Sequence, residues 1–281
     1  MPIDLPPTSI VVRSMKKKVN FEYSVIIILL VCSFRSLLSQ KVFEYESEKP
    51  YDQILEDLKY YKERSDYWRK EAGTLSCKVN GLGPNGGFCL DPVQKKSVGS
   101  NHAFDKGIAE EMSTLFLGSM SSNVSVVDFG CGFGQYGKYF KTTSSNRIEW
   151  VGYDGSENIE SVTSGFVKFI DLTEPKFLGT NYDWAISIEV AEHLPMHLES
   201  NFLYMLHVHN KMGIFLTWAI PGQGGHHHVN EQPTEYWINH LRKYNYEVLA
   251  EDTSRVRKLA EKNGAIYLAK TGLVLARSFK K

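Results

Sequence analysis

From about residue 125 onward, the chain alternates short apolar, β-branched runs with stretches of helical spacing. The seven apolar runs are SVVDFG, EWVGYDG, FVKFIDL, YDWAISIEV, GIFLTWAI, YEVLAED and GLVLARS, and the clearest helical stretches are 197–209 and 233–244. Near-continuous apolar strands that alternate with helices are typical of a parallel sheet covered on both faces. The pattern predicts an α/β fold with a doubly wound, mostly parallel, seven-stranded sheet, in which the last two strands form an edge hairpin.

A separate helical pattern precedes this region, at residues 51–73, where charges lie between apolar positions and a glycine ends the pattern. The apolar positions are Tyr51, Leu55, Leu58, Tyr61, Trp68 and Ala72. Two interpretations stay open. The helix is either a stem that self-associates into a homodimer or a helix packed on its own domain.

The N-terminal region has the pattern of a membrane-targeting segment. A basic cluster, Lys16–Lys18, precedes the apolar run Val25–Cys32. The run is shorter than the roughly 20 residues of an ideal span, and it extends to Leu38 if Arg35 snorkels outward. A signal-anchor and a cleaved signal peptide both fit, and both place the rest of the chain in the secretory pathway. A buried core segment is the third interpretation.

These patterns divide the chain into a cytosolic tail at 1–20, a signal-anchor or signal peptide at 21–39, a helical stem at 40–76 and a globular domain at 77–281. A short anchor suits the thin membranes of the early secretory pathway. We therefore expect a single-pass type II protein of the ER or Golgi membrane with its domain in the lumen, or a secreted protein if the segment is cleaved.

Composition narrows the classes of partner. Hydrophobic residues make up 42% and charged residues 23%, which excludes wholesale disorder and fibrous classes. Lys+Arg 32 balances Asp+Glu 32, so a chain-wide basic footprint is missing and nucleic acid is not an expected partner. Cys77 and Cys89 bracket a stretch rich in Gly, Pro and Asn. They could close a disulfide in an oxidising compartment, or remain two unpaired thiols.

Glycines and acids follow the predicted strands, where doubly wound sheets bind ligands. Gly130, Gly132 and Gly134 follow the first strand, and Asp128 lies two residues before them. In a dinucleotide loop the third glycine comes one residue later. The spacing found here instead suits a ligand without a pyrophosphate, such as a cationic amino acid joined to a nucleoside.

Carboxylates also end the next three strands. Asp154 can accept from both hydroxyls of a ribose, Asp171 can accept from an adenine amino group, and Glu189 ends the fourth strand.

This ordered set resembles the class I S-adenosylmethionine-dependent methyltransferases, over about residues 100–281. The resemblance implies that the protein is an enzyme, a methyltransferase with S-adenosyl-L-methionine as its cofactor. It implies cofactor-binding roles for Asp128, Gly130, Gly132 and Gly134 at the methionine end, Asp154 at the ribose, Asp171 and Leu172 at the adenine, and Glu189 beside them.

The motif Glu189-x-x-Glu192-His193, with a later histidine, resembles the metal site of small-RNA 3′-end 2′-O-methyltransferases and of ubiquinone-pathway O-methyltransferases. The resemblance implies that Mn²⁺ or Mg²⁺ binds to Glu189, Glu192, His193 and His228. Metal-free relatives with the same motif are the alternative. In these the acid lines the pocket and the histidine packs.

The loop PGQGGHHHVN follows the fifth strand. His226, His228 and Asn230 match a GHGHVN-like pattern of relatives, whereas His227 stands where glycine is usual. An imidazole near neutrality suits removal of a proton from a hydroxyl. His226 and His228 are therefore the candidate catalytic residues.

The layout of anchor, stem and catalytic domain is similar to that of the invertebrate Golgi fucosyl 2-O-methyltransferases. This resemblance implies a glycan or glycoconjugate acceptor, methylated at a sugar hydroxyl such as fucose O-2. Two alternatives stay open: a small-molecule or lipid O- or N-methyltransferase at a membrane, and a non-catalytic module that binds the cofactor.

Overall fold

The computed structural model describes residues 50–83, 85–91, 96–97, 104–118, 122–143 and 147–278. The chain divides into two compact units, Met1–Tyr67 and Trp68–Lys281. The predicted tail and anchor, 1–39, lie outside the described residues. Among the residues that are described, no helix combines the length and the apolar character needed to cross a membrane.

Helix α1 (Tyr51–Asn80) continues past Gly73, where the sequence pattern predicted its end. That prediction was wrong because Gly73 is a packing position. The residue is buried, and a Cβ there would collide with the side chain of Glu157. One turn earlier, Arg69 pairs with the Glu157 carboxylate and lies 3.7 Å from the centre of the Phe169 ring.

The apolar positions of α1 from Tyr51 to Trp68 are largely exposed. Tyr51 is 73% exposed, Leu58 60% and Tyr61 64%. Self-association through this helix stays a prediction.

The strands of the second unit confirm the predicted sheet. A short antiparallel pair, β1 (Leu90–Asp91) and β2 (Lys96–Ser97), precedes it. The main sheet consists of β3 (Val124–Phe129), β4 (Ile148–Asp154), β5 (Val167–Phe169), β6 (Tyr182–Ser187), β7 (Asn210–Leu216), β8 (Tyr246–Val248) and β9 (Leu273–Arg277). Its spatial order is β5-β4-β3-β6-β7-β9-β8, and β9 runs antiparallel to both of its neighbours.

The edge differs from the predicted hairpin in one respect. The last two strands do pair, but β9 inserts between β7 and β8. The buried run Leu273–Leu275 suits an interior strand, whereas only Tyr246 of β8 is fully buried, as expected of an edge.

Helices cover both faces of the sheet. They are α2 (Lys106–Leu117), α3 (Gln135–Thr143), α4 (Ile159–Val162), α5 (Glu199–Val208), α6 (Thr234–Arg242), α7 (Ala250–Asn263) and α8 (Ile266–Thr271). Alternate residues of β3 enter two separate cores. Val124 and Val126 pack with α2, α3, α7 and α8, and Val127 and Phe129 pack with α5 and α6. This is the doubly wound, mostly parallel α/β architecture that the sequence pattern predicted.

Strand order reverses between β3 and β6, because the chain builds outward from β3 to β5 and then returns to add β6 on the other side. In open α/β sheets, the crevice outside the carboxyl ends of the strands at such a point binds ligands. We therefore expect a ligand-binding site at the carboxyl ends of β3, β4 and β6.

We expect Gly137→Ala to lower the free energy of unfolding by about 1–3 kcal/mol, as overpacked cores do. A Cβ at Gly137 of α3 would collide with the buried indole of Trp150. Alanine gains up to about 1 kcal/mol in helix propensity over glycine, so a net loss reports the collision. Urea denaturation measures the change, with Thr142→Ala on the exposed side of the same helix as the control. A Gly137→Ala protein as stable as the wild type contradicts this packing.

Candidate functional site

A cavity of about 430 Å³ opens at the carboxyl ends of β3, β4 and β6. It brings together nine of the predicted site residues: Asp128, Gly130, Asp154, Leu172, Glu189, Glu192, His193, His226 and His228. Gly132, Gly134 and Asp171 are outside its lining. The lining within the described part of the chain includes four carboxylates, and it includes no lysine or arginine.

The three glycines of the GxGxG loop all adopt the left-handed conformation, with φ of +78° at Gly130, +55° at Gly132 and +71° at Gly134. Side chains are strained in that region, which explains the glycine spacing. The loop turns the chain from β3 into α3, and Gly130 comes so close to Val190 that a Cβ would collide with it.

Asp154 ties this loop to the end of β4. Its Oδ2 accepts from the Gly132 amide at 2.8 Å, and its Oδ1 accepts from the amide and hydroxyl of Ser156 at 2.9 and 2.7 Å. A carboxylate has about four acceptor positions, so the residue keeps capacity for a ribose hydroxyl.

Asp128 is buried, and the Trp150 indole donates to its Oδ2 at 3.2 Å. The pKa of Asp128 is raised to about 7, mainly by burial and also by the nearby Asp154, against the lowering effect of the Trp150 bond. Its carboxyl therefore changes charge near neutral pH, at the place where the resemblance puts the cationic end of the cofactor.

Of the two residues predicted to flank adenine, only one lines the cavity. Leu172 is buried and lines the cavity. Asp171 instead accepts from the amide and hydroxyl of Thr173, at 2.8 and 2.6 Å, and so stabilises its own turn.

Glu192, His193 and His228 form a cluster whose ligand atoms all lie within 4.8 Å of one another. The Glu192 carboxylate is fully buried, and neither oxygen has a partner of normal hydrogen-bond geometry among the described residues. Burial, and then the charge of Glu189, raises the pKa of Glu192 well above its usual range, against the weaker effect of the nearby backbone amides.

Both histidines present Nε2 to that carboxylate, at 4.0 Å for His193 and 3.9 Å for His228 from Glu192 Oε1. His193 Nδ1 lies 3.2 Å from the carbonyl oxygen of His227, which can only accept, so Nδ1 is the donor and Nε2 keeps its lone pair. Burial lowers the pKa of His193 to about 4, so the ring is neutral at physiological pH. One carboxylate and two imidazole nitrogens are a suitable ligand set for a divalent cation.

Glu189 lies outside this cluster. Its Oε2 accepts from Gln223 at 2.6 Å and its amide donates to the Thr217 hydroxyl at 2.8 Å. Burial raises the pKa of its carboxyl. With φ at +52°, it is a non-glycine residue in the left-handed region, a type of strain that often occurs at functional sites.

The loop PGQGGHHHVN, residues 221–230, is called here the histidine loop. It is anchored through Glu192 itself, whose backbone carbonyl oxygen accepts from the amides of Val229 and Asn230 at 2.8 and 3.0 Å. Asn230 is buried and donates to Glu199 Oε2 at 3.0 Å. His227 has φ at +58°, in the left-handed region that glycine adopts with least strain.

A wall that the sequence analysis missed closes the other side of the cavity. The disulfide Cys77–Cys89 closes a loop, residues 77–89, called here the disulfide loop. Its Phe88 ring contacts the His193 ring edge-on at 4.9 Å between centroids and stacks on the exposed His226 ring at 5.7 Å.

The backbone of the disulfide loop also packs closely against Gly155 and His193. The Asn85 side-chain amide donates to the Gly155 carbonyl at 3.0 Å, and a Cβ on Gly86 would lie 2.7 Å from the His193 carbonyl oxygen. The glycines between the two cysteines were a signal for such a wall, but only the folded chain brings residue 85 to residue 155.

Comparison with known proteins finds no matching family model and no matching curated protein. Among solved structures, the chain is similar to phosphoethanolamine N-methyltransferase 2 of Haemonchus contortus in complex with S-adenosyl-L-methionine, with 16% identity over 62% of this chain and 53% of that one and a TM-score of 0.44. The chain thus spans about half the length of that protein.

Two further structures are magnesium protoporphyrin IX methyltransferase from Synechocystis PCC 6803 with bound S-adenosylmethionine and the small RNA methyltransferase HEN1. The first has 15% identity over 63% of this chain and 87% of that one, with a TM-score of 0.42. The second has 16% identity over 65% of this chain and 27% of that one, with a TM-score of 0.44.

We expect Asp128→Asn to become more stable than the wild type as pH rises. The folded pKa of about 7 exceeds the ordinary 3.8, so the wild type loses stability between these values and the loss levels off above 7. The gap at pH 8 is at most roughly 4 kcal/mol, from about 1.4 kcal/mol per pKa unit. Urea denaturation across this pH range measures it, with Glu149→Gln on the exposed side of β4 as the control. A gap independent of pH contradicts the burial argument.

We expect Cys77→Ser/Cys89→Ser to loosen the cavity wall. Closing a loop of this size with a disulfide stabilises a protein by about 3 kcal/mol in the chain-entropy model. Hydrogen exchange at the amides of residues 86–89 is expected to speed up well beyond any change in β3. Cys131→Ser, at the free cysteine, is the control. Unchanged protection of residues 86–89 means that the disulfide does not hold this wall.

Proposed function

We propose that the protein is an S-adenosylmethionine-dependent O-methyltransferase that acts on a neutral hydroxyl, in particular a sugar hydroxyl of a glycan in the secretory pathway. One observation carries the proposal. The Glu192, His193 and His228 cluster and Gly130, the first glycine of the GxGxG loop, line the same cavity. A methyl donor and a device for activating a hydroxyl would therefore lie side by side.

The cofactor half of the proposal rests on the ends of β3 and β4. The open GxGxG turn lets a ligand approach the backbone, Asp154 offers acceptor positions for ribose, and Leu172 offers an apolar contact for adenine. Asp128 in its charged form would attract the positive amino acid end.

The residues present also fit a divalent cation, since both oxygens of the buried Glu192 carboxylate lack partners among the described residues. Glu192, His193 and His228 would hold it. Glu189 lies outside the cluster but stays a predicted ligand, because its Oε2 accepts from Gln223 whereas its buried Oε1 has no hydrogen-bond partner among the described residues. When bound, Mn²⁺ or Mg²⁺ would lower the pKa of an acceptor hydroxyl.

The chain itself would supply positioning and proton transfer. The sulfonium is a good leaving group, so the acceptor oxygen needs in-line placement and loss of its proton. His226 lines the cavity outside the ligand cluster, which leaves its ring available as the proton acceptor. Phe88, in contact with both His193 and His226, would exclude water from that side.

The charge of the cavity favours a neutral acceptor. Its lining carries Asp128, Asp154, Glu189 and Glu192, and the described part of it offers no lysine or arginine to bind a phosphate. A sugar with neighbouring hydroxyls suits such a site, whereas a phosphorylated small molecule, a phospholipid or a nucleic acid does not.

The Cys77–Cys89 disulfide supports an oxidising compartment such as the ER or Golgi lumen. A type II membrane anchor at 21–39 and a homodimer through the stem helix complete the proposal.

The test uses the full-length protein, S-adenosylmethionine with a deuterated methyl group, and neutral oligosaccharides with and without fucose. Mass spectrometry is expected to show one labelled methyl group on the sugar. A chelator is expected to abolish transfer and Mn²⁺ to restore it. His228→Gln is expected to lower kcat by about 10²–10⁴-fold, the scale of a lost acid–base or metal contribution. S-adenosylhomocysteine affinity is expected to change little.

The control variant is His197→Gln, at an exposed histidine outside the cavity lining. Failure to bind S-adenosylhomocysteine overturns the whole proposal. Binding with transfer only to a phosphorylated small molecule or a lipid overturns the glycan acceptor. Binding with no transfer to any acceptor indicates a cofactor-binding module. Full activity in excess chelator shows that the reaction needs no divalent cation.

A further inference from the structure

Glu231 makes three bonds from one carboxylate at the end of the histidine loop. Its Oε2 accepts from the Gly222 amide at 2.8 Å, and its Oε1 accepts from the Gly224 amide at 2.8 Å. Oε1 also lies 2.9 Å from His228 Nδ1. One side chain thus connects the glycine-rich start of the loop to the histidine that faces Glu192.

The chemistry of the partners determines the direction of the imidazole bond. An ionised carboxylate can only accept, so His228 Nδ1 must be the donor. A neutral imidazole carries one proton, so Nε2 is left with its lone pair. That nitrogen is the one 3.9 Å from Glu192 Oε1. The bond to Glu231 thereby leaves the ligating nitrogen free on the cavity side.

Packing holds the plane of the His228 ring. The ring lies so close to Gly225 that a Cβ there would collide with its Nε2, Cε1 and Cδ2 atoms. The His193 ring packs edge-on against it at 5.0 Å between centroids. Within that plane, the bond to Glu231 selects which ring nitrogen faces Glu192.

We infer that Glu231 is a positioning residue, which selects the tautomer and ring orientation of His228 that present Nε2 to Glu192 and to the cavity. Its value to the reaction rests on the function proposed above, whereas the tautomer itself does not. Ligating histidines generally donate their other ring N–H to a carboxylate or carbonyl in this way. His193 matches this pattern through the His227 carbonyl.

Only a glutamate-like carboxylate serves all three donors at once. A glutamine at 231 with its oxygen at the Oε1 position would keep the bonds to Gly224 and His228 and lose only the bond to Gly222, so it would not change the tautomer. Glu231→Leu removes both acceptor oxygens with little change in volume and is therefore the specific test. The matched control is Glu235→Leu, which makes the same change at an exposed position in the first turn of α6.

The decisive measurement is the His228 tautomer in the metal-free, full-length protein labelled with ¹⁵N-histidine, at mildly alkaline pH. Long-range ¹H–¹⁵N spectra distinguish a protonated from an unprotonated ring nitrogen, and His228→Gln assigns the signal. We expect Nδ1–H in the wild type and in Glu235→Leu. In Glu231→Leu, which offers no acceptor to Nδ1, we expect a shift toward Nε2–H, the form that free imidazole side chains prefer. Wild-type protein with Nε2–H, or an unchanged tautomer in Glu231→Leu, overturns the inference.

Mn²⁺ binding to the same proteins, followed by electron paramagnetic resonance, gives the second readout. Glu231→Leu is expected to weaken it about 10–100-fold, as losses of such partners do, while S-adenosylhomocysteine affinity stays within a few-fold. If the wild type has the Nδ1–H tautomer but binds no Mn²⁺, the positioning role stands and the cation of the proposed function fails. If Glu231→Leu does not fold, the wild-type tautomer alone decides.

Discussion

The buried carboxylate of Glu192 is the constraint on which the rest of the site depends. A carboxylate removed from water is costly unless it is paired, hydrogen-bonded or neutralised. Here both oxygens lack hydrogen-bond partners among the described residues, burial raises the pKa of the acid, and two imidazole nitrogens lie 3.9 and 4.0 Å from Oε1. The same residue anchors the histidine loop, because its carbonyl oxygen accepts from Val229 and Asn230. Burial of the acid and placement of His228 are therefore a single structural arrangement.

Strain concentrates around the same cavity. Glu189 and His227 are non-glycine residues in the left-handed region, and each lies next to the cluster along the chain or in space. Such conformations persist only where the surroundings hold them. Gln223 and Thr217 hold Glu189, and the bond from His193 to the His227 carbonyl holds the loop. The hydrogen bonds that orient the ring nitrogens also maintain the strained backbone.

The cavity combines elements that are far apart along the chain. The switch point of the sheet brings the ends of β3, β4 and β6 together, and the disulfide loop covers them from residues far upstream. Phe88, on that loop, contacts two of the histidines that later elements supply. The described lining includes four acids and no lysine or arginine, which is the charge that the proposed cationic cofactor and neutral acceptor would require.

Periodicity and spacing were sufficient to predict all seven strands of the main sheet and the GxGxG turn, because these depend on local burial pattern and backbone conformation. Sequence alone could not predict that β9 lies between β7 and β8, that α1 continues past Gly73 or that Asn85 contacts Gly155. Each of these features depends on a contact between distant residues.

Glu231 shows the same limit most clearly. As an acid after a histidine loop it has no distinctive signal in the sequence. Its role emerges only when the folded loop places two glycine amides and one imidazole around a single carboxylate. The sequence determined which chemistry is present in this chain. Tertiary structure decided which donor meets which acceptor, because hydrogen bonds and ligand sets require distances and directions that order along the chain does not specify.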